Sequence, residues 1–232
     1  MRKYEIPQEG LKLIACITML IDHIGSMFVS GYALRAIGRL SFPIYCFLIA
    51  EGAHYTKNPR KYALRMLLLA VISEIPFEMA FFNGFTPYRQ NVMITLLLGF
   101  LALETMKKCP NTGLKVMAAI PFALAAEWSY ADYGFHGVML IALFDLTREN
   151  PQKLLVQTLG MALLFYDMGG AALFMLGPVH VTLQSLGVLS MIPISLYSGK
   201  KLTKDRRVQA AFYLFYPVHL LVLWGIWLML LN

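Results

Sequence analysis

Asp22 and His23 stand side by side in the first long apolar stretch of the chain. Glu74 lies in another such stretch, and Tyr216 and His219 lie in the last one. The ordinary pKa of histidine is near neutrality, so a histidine at this position could act as a general base. If these stretches cross a membrane, each ionisable group costs at least about 2.5 kcal/mol to insert, and it must face a cavity or another polar group. These residues are therefore the first candidates for a functional site.

The amino-acid composition indicates the class of protein to which these candidate residues belong. Of the 232 residues, 58% are hydrophobic and 14% are charged, and the mean hydropathy is +0.61. Soluble domains carry about 25% charged residues, and one core of this size could not bury so much apolar surface. The composition excludes a disordered chain, a secreted disulfide scaffold and a typical cytosolic enzyme. It predicts a polytopic integral membrane protein.

Apolar stretches separated by short polar breaks predict an all-α fold with about nine transmembrane helices, forming a single domain over residues 1–232. The predicted spans are Leu11–Gly31, Ile37–Ala53, Tyr62–Phe82, Val92–Met106, Leu114–Trp128, Tyr133–Leu146, Leu154–Tyr166, Val179–Tyr197 and Val208–Leu231. The segment Asp167–Pro178 is a loop, a re-entrant piece or the end of a longer seventh helix. The first span is too long for a signal peptide, so we expect it to be retained.

The distribution of basic residues predicts the orientation of the chain in the membrane. With the N-terminus in the cytoplasm, 17 of the 20 Lys and Arg residues fall on the inner side. This alternation follows the positive-inside rule. It also accounts for the net charge of +7, so no nucleic-acid partner is expected. The exceptions on the outer side are Arg35, Arg39 and Arg89.

The predicted spans place three ionisable residues at one depth. Asp22, Glu74 and His219 lie eleven or twelve residues after the predicted starts of their helices. At 1.5 Å per residue this is about 17–18 Å, near the middle of a hydrocarbon core of about 30 Å. All three helices run from the inside to the outside. We therefore expect the three side chains to converge.

Neighbouring residues on a helix point about 100° apart, so Asp22 and His23 cannot share one face. We expect Asp22 to pair with Arg35 or Arg39 while His23 faces a cavity. Structural ion pairs that lock helices together are an equally good interpretation of Arg35, Arg39, Glu74 and Glu78. The outer residues Glu127, Asp132 and His136 are better explained as interfacial polar groups.

The sequence gives little support for metal or disulfide chemistry. Cys16, Cys46 and Cys109 are odd in number and lack metal-binding spacing, which favours buried or reduced thiols. No H-x-x-x-H or C-x-x-C spacing accompanies the histidines. We therefore expect no metal cofactor.

Five motifs of this chain resemble those of the TraX family, which includes the membrane N-acetylase of conjugative pilin. They are I-D-H-I-G (21–25), G-R-L-S-F-P-I-Y-C-F-L-I-A-E-G (38–52), R-Q-N-V-M-I-T-L-L-L-G (89–99), D-Y-G-F-H-G-V (132–138) and F-Y-P-V-H-L (215–220). The Y-P-x-H-L ending is also similar to that of membrane acyltransferases that acetylate sugars.

The resemblance implies an acetyltransferase of the bacterial cytoplasmic membrane. Acetyl would pass from cytoplasmic acetyl-CoA to an acceptor peptide, as in pilin acetylation during conjugation, or to a glycan or small amine. His23 would be the general base, Asp22 would orient it or hold Arg35 or Arg39, and His219 would be a second acid/base group or the donor entry. Hydrogen bonds to the developing oxyanion would come from Arg39, Asn91 or Tyr216. The CoA phosphates would be held by inner basic residues, which positive-inside topology explains equally well: Lys57, Arg60, Lys61, Lys200, Lys201 and Arg207.

A different class of function remains open from the residues alone. In a proton-coupled transporter, Asp22, Glu74 and His219 would form a buried relay, and Glu74 would carry protons rather than assist acyl transfer. Many transporters contain inverted repeats, and no convincing repeat is present in this chain. A non-catalytic scaffold gives no reason for so many charges at mid-membrane depth.

Overall fold

The computed structural model describes residues 5–29, 31–86, 88–168, 172–176, 179–203 and 205–231. Across these ranges the chain is predominantly α-helical and contains one short pair of antiparallel β-strands. The chain forms two compact units. The first unit comprises residues 1–45 and 165–232, and the second unit comprises residues 46–164. The single transmembrane domain over residues 1–232 stays a prediction.

The elements follow one another with short connections. They are α1 (Gln8–Met27), α2 (Tyr32–Gly38), α3 (Ser41–Tyr55), α4 (Pro59–Phe82), α5 (Val92–Met106), α6 (Thr112–Trp128), α7 (Gly134–Leu146), α8 (Lys153–Asp167), β1 (Ala172–Leu176), β2 (Val179–Thr182), a 3-10 helix (Gln184–Ser190), α9 (Met191–Ser195) and α10 (Arg206–Leu231). Most predicted spans correspond to one of these helices within a few residues.

The prediction of one continuous helix over Val179–Tyr197 is wrong. This stretch begins with β2, which pairs with β1 so that His180 faces Met175, and continues as the 3-10 helix and α9. The β-branched residues at its start favour a strand over a helix. In the segment Asp167–Pro178, α8 extends through Asp167 and β1 follows. Residues 169–171 and 177–178 of that segment lie outside the described residues.

Three helical runs of the described chain are long and apolar enough to cross a bilayer: Gln8–Met27, Tyr32–Tyr55 and Arg207–Leu230. Other apolar helices are shorter, such as Val92–Met106 with 15 residues. A helix of that length spans about 22 Å, less than a hydrocarbon core of about 30 Å. The number of nine crossings therefore stays a prediction.

In the first unit, α1 packs against α2 and α10. Two contacts fix the direction of α10 relative to α1. Lys12 Nζ donates to Gln209 Oε1 at 2.7 Å, and about three turns later His23 meets His219. Because both contacts advance along the two helices in the same sense, α1 and α10 are parallel, as the predicted topology requires.

In the second unit, α5 is the central helix and packs against α4, α6 and α7. It is buried on nearly all sides, and Phe100 is fully inaccessible. The outward side of α4 is apolar instead: Leu64, Leu68, Val71 and Ile75 are each more than half exposed. Such an exposed apolar stripe on a helix is what lipid contact requires and what water disfavours.

Candidate active site

Two histidines from α1 and α10 are in direct contact in the first unit. The Nδ1 atom of His23 lies 2.7 Å from Nε2 of His219. The Nδ1 atom of His219 lies 2.7 Å from the carbonyl oxygen of Phe215, one turn earlier on α10. His219 is buried, with 6% of its surface exposed. The three groups form a chain of two hydrogen bonds, from the Phe215 carbonyl through His219 to His23.

The hydrogen-bond chain determines which ring nitrogens carry protons. A carbonyl oxygen only accepts, so Nδ1 of His219 must donate to Phe215. In neutral His219 the Nε2 atom is then the acceptor, and His23 donates to it through Nδ1. The unprotonated nitrogen of His23 is therefore Nε2. A nitrogen with this lone pair is what a general base requires.

The neighbouring carboxylate of Asp22 is held by arginines of the α2 region. Both of its oxygens lie 2.6 Å from Nη2 of Arg39, and Nε of Arg35 lies 3.1 Å from Oδ1. The side chains of Asp22 and Arg39 are only 13% and 12% exposed. The expected pairing of Asp22 with Arg35 or Arg39 is thus present, with both arginines. Asp22 therefore fixes α1 to the α2 region, whereas His23 is oriented by His219.

Two glycines allow α1 and α2 to approach closely enough for this pairing. A Cβ atom at Gly38 would collide with the side chain of Asp22. A Cβ atom at Gly25 would lie 2.7 Å from Cβ of Leu34, which is closer than real contacts allow. A residue with a side chain at either position would push the helices apart.

Tyr216 lies on α10 one turn before His219 and is buried. Its ring centroid is 5.9 Å from that of His219. Tyr45 and Cys16 form a further polar contact in this unit, with 3.2 Å between the hydroxyl oxygen and Sγ. Sequence reasoning missed Tyr45, although it stands in one of the motifs that carry the family resemblance.

Gln184 is a second residue that sequence reasoning missed. Its Oε1 atom accepts a hydrogen bond of 3.1 Å from Nη1 of Arg39. Its Nε2 atom is buried without a hydrogen-bond partner among the described residues. It begins the 3-10 helix within the stretch predicted as a plain transmembrane span. No local pattern distinguished it there.

Glu74 and Asn91 lie together in the second unit. The amide Nδ2 of Asn91 donates to Oε2 of Glu74 and, at 2.9 Å, to the carbonyl of Ala70. Its Oδ1 atom accepts from the backbone N–H of Met93 and caps α5. Both ends of the Asn91 amide are therefore engaged in joining α4 to α5. The catalytic role expected of Asn91 stays a prediction, as does the convergence of Glu74 with Asp22 and His219.

Other polar residues of the second unit also bind the backbone. Glu78, which is 1% exposed, accepts from the backbone N–H of Thr86 at 2.7 Å. Glu127 accepts from the backbone N–H of Phe135 at 2.9 Å, at the start of α7. Thr95 donates to the carbonyl of Asp132 at 2.5 Å. These contacts stabilise loops between helices, as expected for polar residues without a catalytic role.

The basic residues expected to meet CoA phosphates lie in both units. Lys57, Arg60 and Lys61 are exposed around the start of α4 in the second unit. Lys201 and Arg207 are exposed just before and at the start of α10 in the first unit. Lys200 differs from them, because its Nζ lies 2.9 Å from a carboxylate oxygen of Glu5. In the described residues, groups of three or more metal-ligating side chains are absent.

Comparison with known proteins extends these observations. The sequence model of the TraX protein family matches residues 7–227. The chain is similar to the "Probable fimbrial assembly protein FimC, serogroup H1" of Dichelobacter nodosus, with 31% identity over 237 aligned positions that cover 92% of each chain. It is also similar to an uncharacterised protein of Rickettsia prowazekii, with 27% identity over 152 positions that cover 63% of this chain and 58% of the relative. No solved structure matches the chain significantly.

Proposed function

Because the chain belongs to the TraX family, we propose that this membrane protein is an acyltransferase that moves acetyl from acetyl-CoA to an amine or hydroxyl acceptor. The observation that carries this proposal is the hydrogen-bond chain from the Phe215 carbonyl through His219 to His23. It leaves Nε2 of His23 as the proton acceptor.

His23 is the general base of the reaction. Its Nε2 atom takes the proton of the acceptor N–H or O–H group as the acceptor nitrogen or oxygen attacks the thioester carbonyl carbon. The new bond forms as the carbonyl π electrons move onto oxygen. When the tetrahedral intermediate collapses, the C–S bond breaks, and the CoA thiolate receives the proton from His23. General bases of this kind contribute about 10²–10⁴-fold to a rate.

His219 acts through His23 and is a positioning residue. Its proton on Nδ1 is fixed by Phe215, so Nε2 accepts from His23. This arrangement holds the His23 ring and stabilises the imidazolium that forms during proton transfer. We assign the hydrogen bond to the developing oxyanion to Tyr216, whose ring lies beside His219. Arg39 is not assigned to the oxyanion, because its guanidinium binds the carboxylate of Asp22.

The donor reaches this site from the cytoplasmic side of a multi-pass protein in the bacterial cytoplasmic membrane. The alternation of basic residues along the sequence supports this orientation. Acetyl-CoA, which carries phosphates, is made in the cytoplasm. Exposed Lys201 and Arg207 precede and begin the same helix that carries His219. They are the first-unit residues available for the phosphates. A role of Lys57, Arg60 and Lys61 of the second unit in binding the phosphates stays a prediction.

The family and one relative support a proposal for the acceptor class. The Dichelobacter nodosus relative is described as a "probable fimbrial assembly protein", and the TraX resemblance implies acetylation of a pilin. We therefore place the N-terminal amine of a pilin-like peptide first among acceptors. A glycan hydroxyl or a small amine would use the same base and the same donor.

The test is release of free CoA by the purified protein in nanodiscs, with acetyl-CoA and with or without a peptide amine. His23→Gln should reduce acceptor-dependent release by about 10²–10⁴-fold. His54→Gln is the matched control, because His54 is exposed at the end of α3 in the second unit. Acceptor-dependent release that persists in His23→Gln would remove His23 from the mechanism. Absence of release and of saturable acetyl-CoA binding in the wild type would contradict the acyltransferase itself.

A further inference from the structure

An open cleft of about 610 Å³ lies at the C-terminal end of α1 in the first unit. Its wall combines the guanidinium-bearing side chain of Arg35, the hydroxyl of Ser26 and the apolar residues Tyr32 and Leu183. None of these residues has a part in the proton transfer described above. The cleft therefore needs its own explanation.

Arg35 is the charged group of the cleft wall and is held in a fixed position. Its Nη1 atom donates to the Oγ atom of Ser26 at 2.6 Å, and its Nε atom lies 3.1 Å from Asp22. A guanidinium has five N–H donors. The contacts found among the described residues engage Nε and Nη1 only, and the side chain is 31% exposed. Further donors are therefore available to a ligand.

A second cation is not needed to neutralise Asp22. Arg39 already binds both of its carboxylate oxygens at 2.6 Å. Arg35 adds a further positive charge to this cluster at a position that the positive-inside pattern disfavours. A partly exposed guanidinium beside an open cleft is suited to a carboxylate or a phosphate, which match its planar donors.

The cleft lies close to the proposed base. Ser26 follows His23 by three residues on α1, so the two side chains share a face and are separated by about one helical turn, roughly 5 Å along the axis. Arg35 is bonded to this serine. A molecule with its nucleophile at His23 would thus place groups a few bonds away beside Arg35.

We propose that this cleft recognises an anionic oxygen group, a carboxylate or a phosphate, carried by the acceptor close to its reacting amine or hydroxyl, with Arg35 as the binding residue. The proposal rests on the proposed function, because it assigns the anion to the acceptor. It predicts that the acceptor and not the donor depends on Arg35. It also predicts that a neutral analogue of the same shape is a poor substrate.

The experiment compares matched tripeptide amides on the protein in nanodiscs. Ala-Asp-Ala is paired with Ala-Asn-Ala, and Ala-phosphoserine-Ala is paired with Ala-Ser-Ala. The wild type should prefer the anionic member of at least one pair by about 10- to 150-fold in kcat/KM, the range of a charged hydrogen bond. The pair with the larger ratio identifies carboxylate or phosphate as the source. Arg35→Gln should abolish the preference without changing KM for acetyl-CoA.

Two further variants separate recognition from folding. Arg35→Lys retains the charge but loses the planar donors, so it should keep part of the preference. Arg89→Gln removes an exposed arginine of the second unit and should keep all of it. Calorimetric titration of the same peptides measures binding without turnover. Equal transfer and equal binding of both members of each pair would overturn the anion site while leaving acyl transfer intact.

Loss of the proposed function would be recognised separately. If no peptide accepts acetyl and no CoA is released, the acyltransferase proposal fails. The binding measurements alone then test whether the cleft binds an anionic group. Tighter binding of an anionic peptide that disappears in Arg35→Gln would support the anion site. Equal binding of the anionic and neutral peptides, or a preference for the anionic peptide that persists in Arg35→Gln, would overturn the anion site.

Discussion

The ion pair between Asp22 and Arg39 allows a quantitative prediction about how α1 is held to the α2 region. The perturbation is a double-mutant cycle with Asp22→Asn, Arg39→Gln and the double variant. Both side chains are about one-eighth exposed, at 13% and 12%. The pair therefore belongs with buried ion pairs rather than with exposed surface pairs, which contribute about 0–1 kcal/mol.

The two single variants should differ because Asp22 has two cationic partners. Arg39→Gln leaves Arg35 Nε at 3.1 Å to compensate the carboxylate, so we expect a loss of about 1–3 kcal/mol. Asp22→Asn leaves the guanidinium groups of Arg35 and Arg39 beside each other without the carboxylate that both contact. Removing one side of a buried pair costs about 3–5 kcal/mol. The double variant should cost less than the sum, with a coupling of about 1–3 kcal/mol.

The assay is equilibrium unfolding in mixed micelles with a denaturing detergent, followed by tryptophan fluorescence. Asp22→Asn should lower the free energy of unfolding more than Arg39→Gln does. A loss below about 1 kcal/mol in Asp22→Asn would refute the reasoning, because it would place the pair among exposed ones. Additivity within about 0.5 kcal/mol would also refute it, since independent sites behave that way.

Two other predictions use the same first unit. Gly38→Ala forces a methyl group into the side chain of Asp22 and should lower the free energy of unfolding by about 1–3 kcal/mol in the same detergent assay. Gly225→Ala is its control, because nothing lies within 4 Å of a Cβ there, and an equal loss in both would contradict the packing argument. Replacing Lys201 and Arg207 by Gln should raise KM for acetyl-CoA at low salt and leave kcat unchanged, because charge attraction is screened by salt. Lys108→Gln should behave like the wild type, and an unchanged KM in the double variant would exclude these residues from donor binding.

The sequence predicted polar groups at matching positions along the first and last helices, whereas their depth in a membrane stays a prediction. Counting residues from the predicted helix starts placed Asp22 beside His219 in depth, and α1 and α10 are indeed parallel with His23 against His219. The identity of the partners was harder. The position of a residue along a helix does not tell in which direction around the helix axis its side chain points. It therefore could not show that His219 binds His23 while Asp22 binds Arg39.

The stretch Val179–Tyr197 shows where apolar composition misleads. In a chain with 58% hydrophobic residues, an apolar run of 19 residues satisfies the length rule for a span. The structure divides it into β2, a 3-10 helix and α9. Alternating β-branched residues at Val179 and Val181 were the local signal for a strand.

The helix caps were within reach of local rules, whereas Gln184 was not. Asn91 precedes the apolar run of α5, which is the ordinary position of an N-cap. Recognising that cap would have assigned Asn91 to a structural contact before any catalytic one. Gln184 meets Arg39 across 145 positions of sequence. A contact of that separation depends on how the helices pack and leaves no local pattern.

The most direct test of the central claim is the rate of acetyl transfer to a peptide amine in a single turnover by the wild type, His23→Gln, His219→Gln and the double variant. His219 acts only through His23, by holding its ring and stabilising its charged form, so its loss should cost about 10- to 150-fold, the value of one hydrogen bond to a group that becomes charged. The double variant should then be no slower than His23→Gln, because groups that act as a unit are not additive. Multiplicative losses in the double variant would contradict the relay, and unchanged transfer in His23→Gln would contradict the general base.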